Sequence, residues 1–302
     1  MAGTGMGRRS GIALVVCWAL VCTGSMTSAQ VVRFETSLGD FDMVLNPTDN
    51  PLLQAHVDNM LEYVEGGFYR GSWINRADEG FVLQMGGFFS HTKRPPLTIA
   101  STRPVPTFEP VLGEPASTIS GLSNTVGTVA LALPGGAGGT NQDGGTSSFF
   151  VNLASNTFLD ADFTVFAAIP DMTVVNQIMA LMQVDRTTDP MFGAGPGNLA
   201  FTDVPLQANG QQVFINRAFV VEDAMSIARA VGGVESVMTQ SVASFQAAGE
   251  AASLIASAPS ELSTSSSSTA SLAAIVVPEP ASAALAIIGA IAATLLSARR
   301  RR

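Results

Sequence analysis

Chemistry needs side chains that attack, move protons, ligate a metal or stabilise developing charge, and this 302-residue sequence is sparing with all of them. Its two cysteines, Cys17 and Cys22, both fall in the N-terminal segment, so once that is removed no thiolate catalysis, cysteine metal site or disulfide is expected. The imidazoles are His56 and His91, whose spacing suggests no metal pair and which read as surface or loop residues. No Ser-His-Asp set and no standout acidic pair appears. Gly135 to Gly145 is glycine-rich but lacks a following helix whose N-terminus would hold phosphate, so it reads as a mobile loop. Neither a cofactor nor a metal is expected. What remains is a lone cation beside apolar groups: Arg76, then, after a turn at Glu79-Gly80, Phe81, Gln84 and Gly86-Gly87. The competing reading of Arg76 is a surface arginine in a salt bridge.

The elements that must position these residues follow from periodicity. Val31 to Thr36 reads as a strand, Leu38-Gly39-Asp40 as a turn, and a second strand runs to Leu45. Pro51 stands at a first helical position, and Leu53, Val57, Met60, Leu61 and Val64 recur at helical spacing until Gly66-Gly67. Short strand-like runs follow at Phe81 to Gln84, Thr128 to Leu133, Phe149 to Leu153 and Phe163 to Ile169. A second helix, capped by Asp171 or Thr173, carries Val175, Ile178, Met179 and Met182, and the last strand is Val213 to Val221. Many strands with two helices predict a mainly β fold, a closed antiparallel barrel with helices at its ends. Beyond it, Ile227, Val231, Val234, Met238, Val242 and Phe245 keep a helical interval across Gly232-Gly233, predicting a short packing or stalk helix. Ala256 to Ala274 is low complexity and reads as a flexible spacer.

Charge and the chain ends bound the setting. The formal charge is −9, and six of the 15 Lys and Arg sit at the extremities, leaving nine positive against 24 negative between them. A body so acidic, with no basic aromatic stripe, excludes nucleic acid as a partner. Residues 1–29 combine Arg8 and Arg9, the apolar run Ile12 to Val21 and small residues ending at Ala29, the order of a secretory signal peptide. Val21 is bulkier than the residue lipoprotein processing at Cys22 expects, so cleavage near Ala29 is the reading. Ala281 to Ala298 is 18 residues without a charge and is followed by four arginines. As a helix it would span about 27 Å, slightly short of the ~30 Å hydrocarbon core. The arginines would stay cytoplasmic while the signal places the folded body outside.

Two resemblances sharpen this reading. Val277-Pro278-Glu279-Pro280, the short apolar span and the terminal arginines resemble a PEP-CTERM sorting tail over residues 276–302. That likeness implies a transient membrane anchor recognised by an exosortase-like processing enzyme; an ordinary tail anchor is the alternative. In the body, Gly67-Phe68-Tyr69, Trp73-Ile74-Asn75-Arg76 and Gly80-Phe81-Val82-Leu83-Gln84-Met85-Gly86-Gly87 resemble the signature of cyclophilin-type peptidyl-prolyl isomerases. The similarity continues through Ser123-Asn124, Gly127 to Ala132, Ser147 to Val151, Phe158-Leu159-Asp160 and Val165-Phe166.

The resemblance implies an eight-stranded antiparallel barrel capped by two α-helices, acting on proline-containing polypeptides. It implies Arg76 as the catalytic guanidinium, Gln84 as a polar contact to substrate backbone, and Phe81, Val82, Phe150 and Leu159 as the proline pocket. Asn75, Leu133, Ser148, Phe158 and Phe163 depart from the family's best-known form, and the loop from Pro134 to Thr146 is longer. The domains expected are a signal peptide at 1–29, an isomerase domain at 30–225, a helical stalk and Ser/Ala-rich linker at 226–275, and the sorting tail. Two functions are implied: an exported isomerase assisting folding outside the cytoplasm, in the periplasm or at the cell surface, or a surface or matrix protein that binds proline peptides without turnover.

Overall fold

Each strand sorts its side chains by alternation, and the sorting builds the sheet. A computed structural model describes residues 30–90, 102–112, 120–136, 139–187 and 199–257; the signal segment, His91 and the tail from 258 lie outside the described residues. The main strands are β1 (Val31–Thr36), β2 (Gly39–Leu45), β3 (Arg76–Ala77), β4 (Val82–Met85), β5 (Thr128–Leu131), β6 (Phe149–Asn152), β7 (Val165–Ala168) and β8 (Ile215–Val220). They pair antiparallel in the order β8-β1-β2-β7-β5-β6-β4-β3. One face carries Phe34, Met43, Leu83, Met85, Val129, Leu131, Phe149 and Val151 into the main core. Phe34 stacks on Phe41 at 5.2 Å between centroids and meets Phe149 at 5.5 Å. Tyr69, buried against both Phe34 and Phe149, donates its hydroxyl to the Ser147 carbonyl at 3.0 Å, and burial pushes its phenol well above its ordinary pKa.

The closed barrel expected from the sequence is corrected to an eight-stranded half-barrel. No ladder joins the edge strands β8 and β3, because β3 is only two residues long and the stretch before it leaves strand geometry. Backbone bonds from Gly71 N–H to Ile215 O, Ile215 N–H to Ser72 O and Ile74 N–H to Val213 O, with the single Trp73–Phe214 bridge, join the two edges instead. They satisfy edge donors and acceptors without a continuous strand pair.

Both expected helices are present. A 3-10 turn at Pro51–Leu53, capped by the Asn50 side chain on Leu52 N–H at 3.0 Å, leads into α1 (Gln54–Glu65). His56, expected at the surface, is buried and stacks on Phe166, because positions 56, 60 and 63 share the inward stripe of α1. Ahead of α2 (Thr173–Met179) the Asp171 carboxylate accepts from the Thr173 side chain and from the Thr173 N–H, the latter at 2.9 Å, and these bonds hold its pKa below the ordinary value. Met182 falls beyond this short helix and opens a strand, Met182–Val184, that pairs with Val204–Leu206.

A further helix, α3 (Ala224–Ser257), has 34 residues and continues through Gly232-Gly233. The Asp223 carboxylate starts it by accepting from the Ser226 side chain and from the Ser226 N–H, the latter at 2.8 Å, and those bonds lower its pKa. Ala230, Val234 and Met238, four residues apart, cover Val31, Val44, Val165 and Ala168 on the outer face of β1, β2 and β7. Ser241 Oγ also donates to Ser123 O at 2.6 Å. The helix tolerates its glycine pair because Gly233 lies against Pro170, where an added Cβ would stand 2.9 Å from Pro170 Cβ. The sheet, α1, α2 and α3 as far as Ala256 belong to one compact unit. No helix among the described residues is long and apolar enough to cross a membrane.

The two adjacent glycines should respond in opposite directions. Gly232 has nothing within 4 Å of an added Cβ, so Gly232→Ala should stabilise the fold by about 0.5–1 kcal/mol through helix propensity. Gly233→Ala should instead destabilise it by about 1–3 kcal/mol, as overpacking does. Urea unfolding of both variants measures the difference; shifts of the same sign would show that Pro170 does not set the approach of α3.

Candidate active site

The face of the sheet opposite the core carries the site. Strand register aligns Arg76 with Gln84, Gln84 with Phe150, and Phe150 with Ala130, so these residues form one row across β3, β4, β6 and β5. Val82, two residues before Gln84, shares that face. The core partners Leu83, Met85, Phe149 and Val151 occupy the alternate positions, so the same strands serve both faces. Gly86 ends β4 at φ +84°, where a Cβ would meet Ser147 O at 2.5 Å, and only glycine can turn the chain there.

On this outer face Val82, Ala130 and Phe150 form a small apolar cluster with Phe81, Ala132, Leu159 and Phe163 packed against it. The cluster floors a cleft of 860 Å³ that Arg76 and Gln84 also line. Phe163 meets Phe150 edge-on at 5.5 Å. All six residues anticipated for the site, Arg76, Gln84, Phe81, Val82, Phe150 and Leu159, therefore line one cleft. Ala130, opposite Phe150 in the strand pair, and Ala132, two residues on and lining the cleft, were not anticipated as pocket residues; alternation along this strand is the signal that identifies them.

Arg76 is both a cleft residue and an ion-paired one. Its Nη2 meets Asp78 Oδ2 at 2.5 Å, and its guanidinium carbon stands 5.3 Å from the centre of the Phe81 ring. Its Nε–H is buried without a hydrogen-bond acceptor among the described residues. Gln84 Nε2 donates to Ser148 Oγ at 3.3 Å, and Ser148 Oγ donates to Met85 O at 3.3 Å. A fixed cation over an apolar floor can bind a ring and stabilise charge that develops beside it.

A buried amide network, invisible to pattern reading, holds the pocket walls. Asn124 donates through both its backbone N–H and Nδ2 to Asp160 Oδ1, at 2.7 and 2.9 Å. Asn152 Nδ2 donates to Asn124 Oδ1, and Asn156 Nδ2 donates to both Asn152 Oδ1 and Phe81 O. The backbone N–H of Asn156 meets Asn124 O at 2.7 Å. Phe81 and the turn Thr157–Leu159 are thus tied to one buried set of side chains.

The positions that depart from the family's best-known form scatter in role. Leu133, Ser148 and Phe163 line the cleft. Phe158 is 63% exposed and stacks on Phe81 at 5.9 Å. Asn75 is buried and donates through Nδ2 to Ala200 O at 2.8 Å. The glycine-rich stretch carries a two-residue pairing, Gly135–Gly136 with Gly139–Thr140, and its flanks Pro134, Gly144 and Thr146 form a wall of the cleft. No group of three or more His, Cys, Asp or Glu side chains among the described residues could hold a metal ion.

Comparison with known proteins places this geometry. Residues 31–192 match the family described as cyclophilin type peptidyl-prolyl cis-trans isomerase/CLD. The chain is 34% identical over 134 residues to peptidyl-prolyl cis-trans isomerase A of Dickeya dadantii, covering 44% of this chain and 60% of that protein. It is 32% identical over 171 residues to a peptidyl-prolyl cis-trans isomerase of Acinetobacter baylyi, covering 53% and 80% respectively. Isomerase B of Escherichia coli is 31% identical over 157 residues, covering 49% and 83%.

The amide network yields a direct test. Asn156→Ala removes the donor to Phe81 O and leaves buried Asn152 Oδ1 short of a partner, so stability should fall by about 1–3 kcal/mol. Affinity for a proline-containing peptide, measured by calorimetric titration, should fall as well. Parental affinity in a folded variant would show that the network does not shape the pocket.

Proposed function

The chain belongs to the cyclophilin-type peptidyl-prolyl cis-trans isomerase family, and from that membership, together with its N-terminal segment, we propose that it is an exported catalyst of rotation about X-Pro bonds, assisting protein folding outside the cytoplasm. The observation that carries the catalytic part is the sharing of one cleft by the Arg76 guanidinium and the apolar cluster of Phe81, Val82, Phe150 and Leu159.

An X-Pro bond turns slowly because its amide must lose resonance, at a barrier of about 18–20 kcal/mol. No covalent bond breaks, so the reaction requires no nucleophile. The apolar floor holds the prolyl ring, and Gln84 contacts the substrate backbone. Arg76 donates to the prolyl nitrogen, whose lone pair becomes available only as the amide twists. That bond is stronger in the transition state than in either ground state, which is the condition for acceleration. A second reading, a proline-peptide binding module without turnover, is favoured by one contact: the Gln84 amide is directed onto Ser148.

Export rests on the order of charge, apolar run and small residues in 1–29. Transient anchoring, and processing by an exosortase-like enzyme, rest on Pro278-Glu279-Pro280, the span Ala281 to Ala298 and the terminal arginines. An Ala-rich span of this length is a weak anchor, while the arginines hold it against translocation.

Two measurements separate these readings. A proline-switch assay should show acceleration without added metal or nucleotide, and Arg76→Ala should lower the rate roughly 10²- to 10³-fold, the usual cost of losing a transition-state donor. Peptide binding without turnover would establish the binding module. Intact mass of the protein from its native host should lack both ends; a main species retaining Arg302 would mean a plain tail anchor.

A further inference from the structure

We propose that Asp78 is a positioning residue that holds the Arg76 guanidinium in its working orientation, an inference that rests on the isomerase reading of the cleft. An arginine is long and readily swings its charged head into water. Here the head is held from two sides, by the Asp78 carboxylate at 2.5 Å and by the Phe81 ring at 5.3 Å.

Both supports belong to one turn. Asp78 N–H donates to Val82 O at 3.0 Å, and Asp78 O accepts the Phe81 N–H at 3.1 Å. The carboxylate and the ring are therefore fixed relative to each other by backbone bonds, and together they fix the cation between them. Asp78 lies two residues after Arg76, so an extended chain puts both side chains on one side.

The pairing leaves a second donor of Arg76 uncommitted. Nε of Arg76 is buried and has no acceptor among the described residues, and native proteins rarely leave a buried donor so. Asp78 engages Nη2 and leaves that N–H unspent on a residue that lines the cleft. The two side chains are 15% and 32% exposed, so the pair is only partly screened and contributes modestly to stability. Its effect is on geometry, where a small misplacement of a catalytic group is expensive.

The test uses the full chain in the proline-switch assay. Asp78→Ala should lower kcat roughly 10- to 100-fold, with the KM for peptide and the thermal midpoint close to parental. Asp78→Glu should recover part of the loss, and in an Arg76→Ala background Asp78→Ala should cost nothing further. Should Asp78→Ala fail to fold, Asp78→Asn keeps the shape, removes the charge and should show the same fall in kcat. Parental kcat in the Asp78 variants while Arg76→Ala is impaired overturns the positioning role alone, as does an equal further loss in the Arg76→Ala background. A parent without turnover, or Arg76→Ala matching the parent, overturns the isomerase reading and the positioning role with it.

Discussion

The two-residue period of an extended strand forces β4, β5 and β6 to present opposite faces, and in this protein both faces carry apolar side chains. Leu83, Val129, Leu131, Phe149 and Val151 go inward to the core, while Val82, Ala130 and Phe150 go outward. An outward apolar face has to be covered or used. On β1, β2 and β7 it is covered, by the stripe of Ala230, Val234 and Met238 on α3. On β4, β5 and β6 it is left as the floor of a cleft. The boundary between cover and cleft runs between Val165 and Ala130, which are register partners on neighbouring strands.

Placing a cation at such a floor carries its own constraint. A guanidinium beside apolar side chains loses hydration and must recover it from fixed partners. The short turn from Asp78 to Phe81 supplies a carboxylate and a ring within four residues of chain, which is why Arg76 at the edge strand β3 can face the cleft. Register then sets Gln84 beside Arg76, and Phe150 beside Gln84, without any further device.

The walls of the cleft come from loops, which cannot be stiffened by a ladder. Their rigidity is transferred from the buried amides: Asn156 donates to Asn152, Asn152 to Asn124, and Asn124 to Asp160 as the terminal acceptor. Ser241 on α3 bonds the carbonyl of Ser123, next to Asn124, so the helix that covers one half of the outer face also touches the segment that braces the other half.

Local pattern determined much of this protein. Alternation marked the strands, Pro51 opened the turn into α1 and Gly66 ended it, and the run from Arg76 to Gly87 held Arg76, Phe81, Val82 and Gln84 of the cleft, because all of these are short-range properties of the chain. The tertiary structure alone decided which elements meet. His56 is buried by its place on the stripe of α1, α3 carries a glycine at 233 where Pro170 leaves no room for a side chain, and no continuous ladder closes the sheet because β3 ends after two residues. The asparagine network joins residues up to 75 positions apart, and the α3 contact to Ser123 spans 118. Composition and period carry no information about such pairings, since the free energy that selects them comes from contacts formed only when distant segments are already in place.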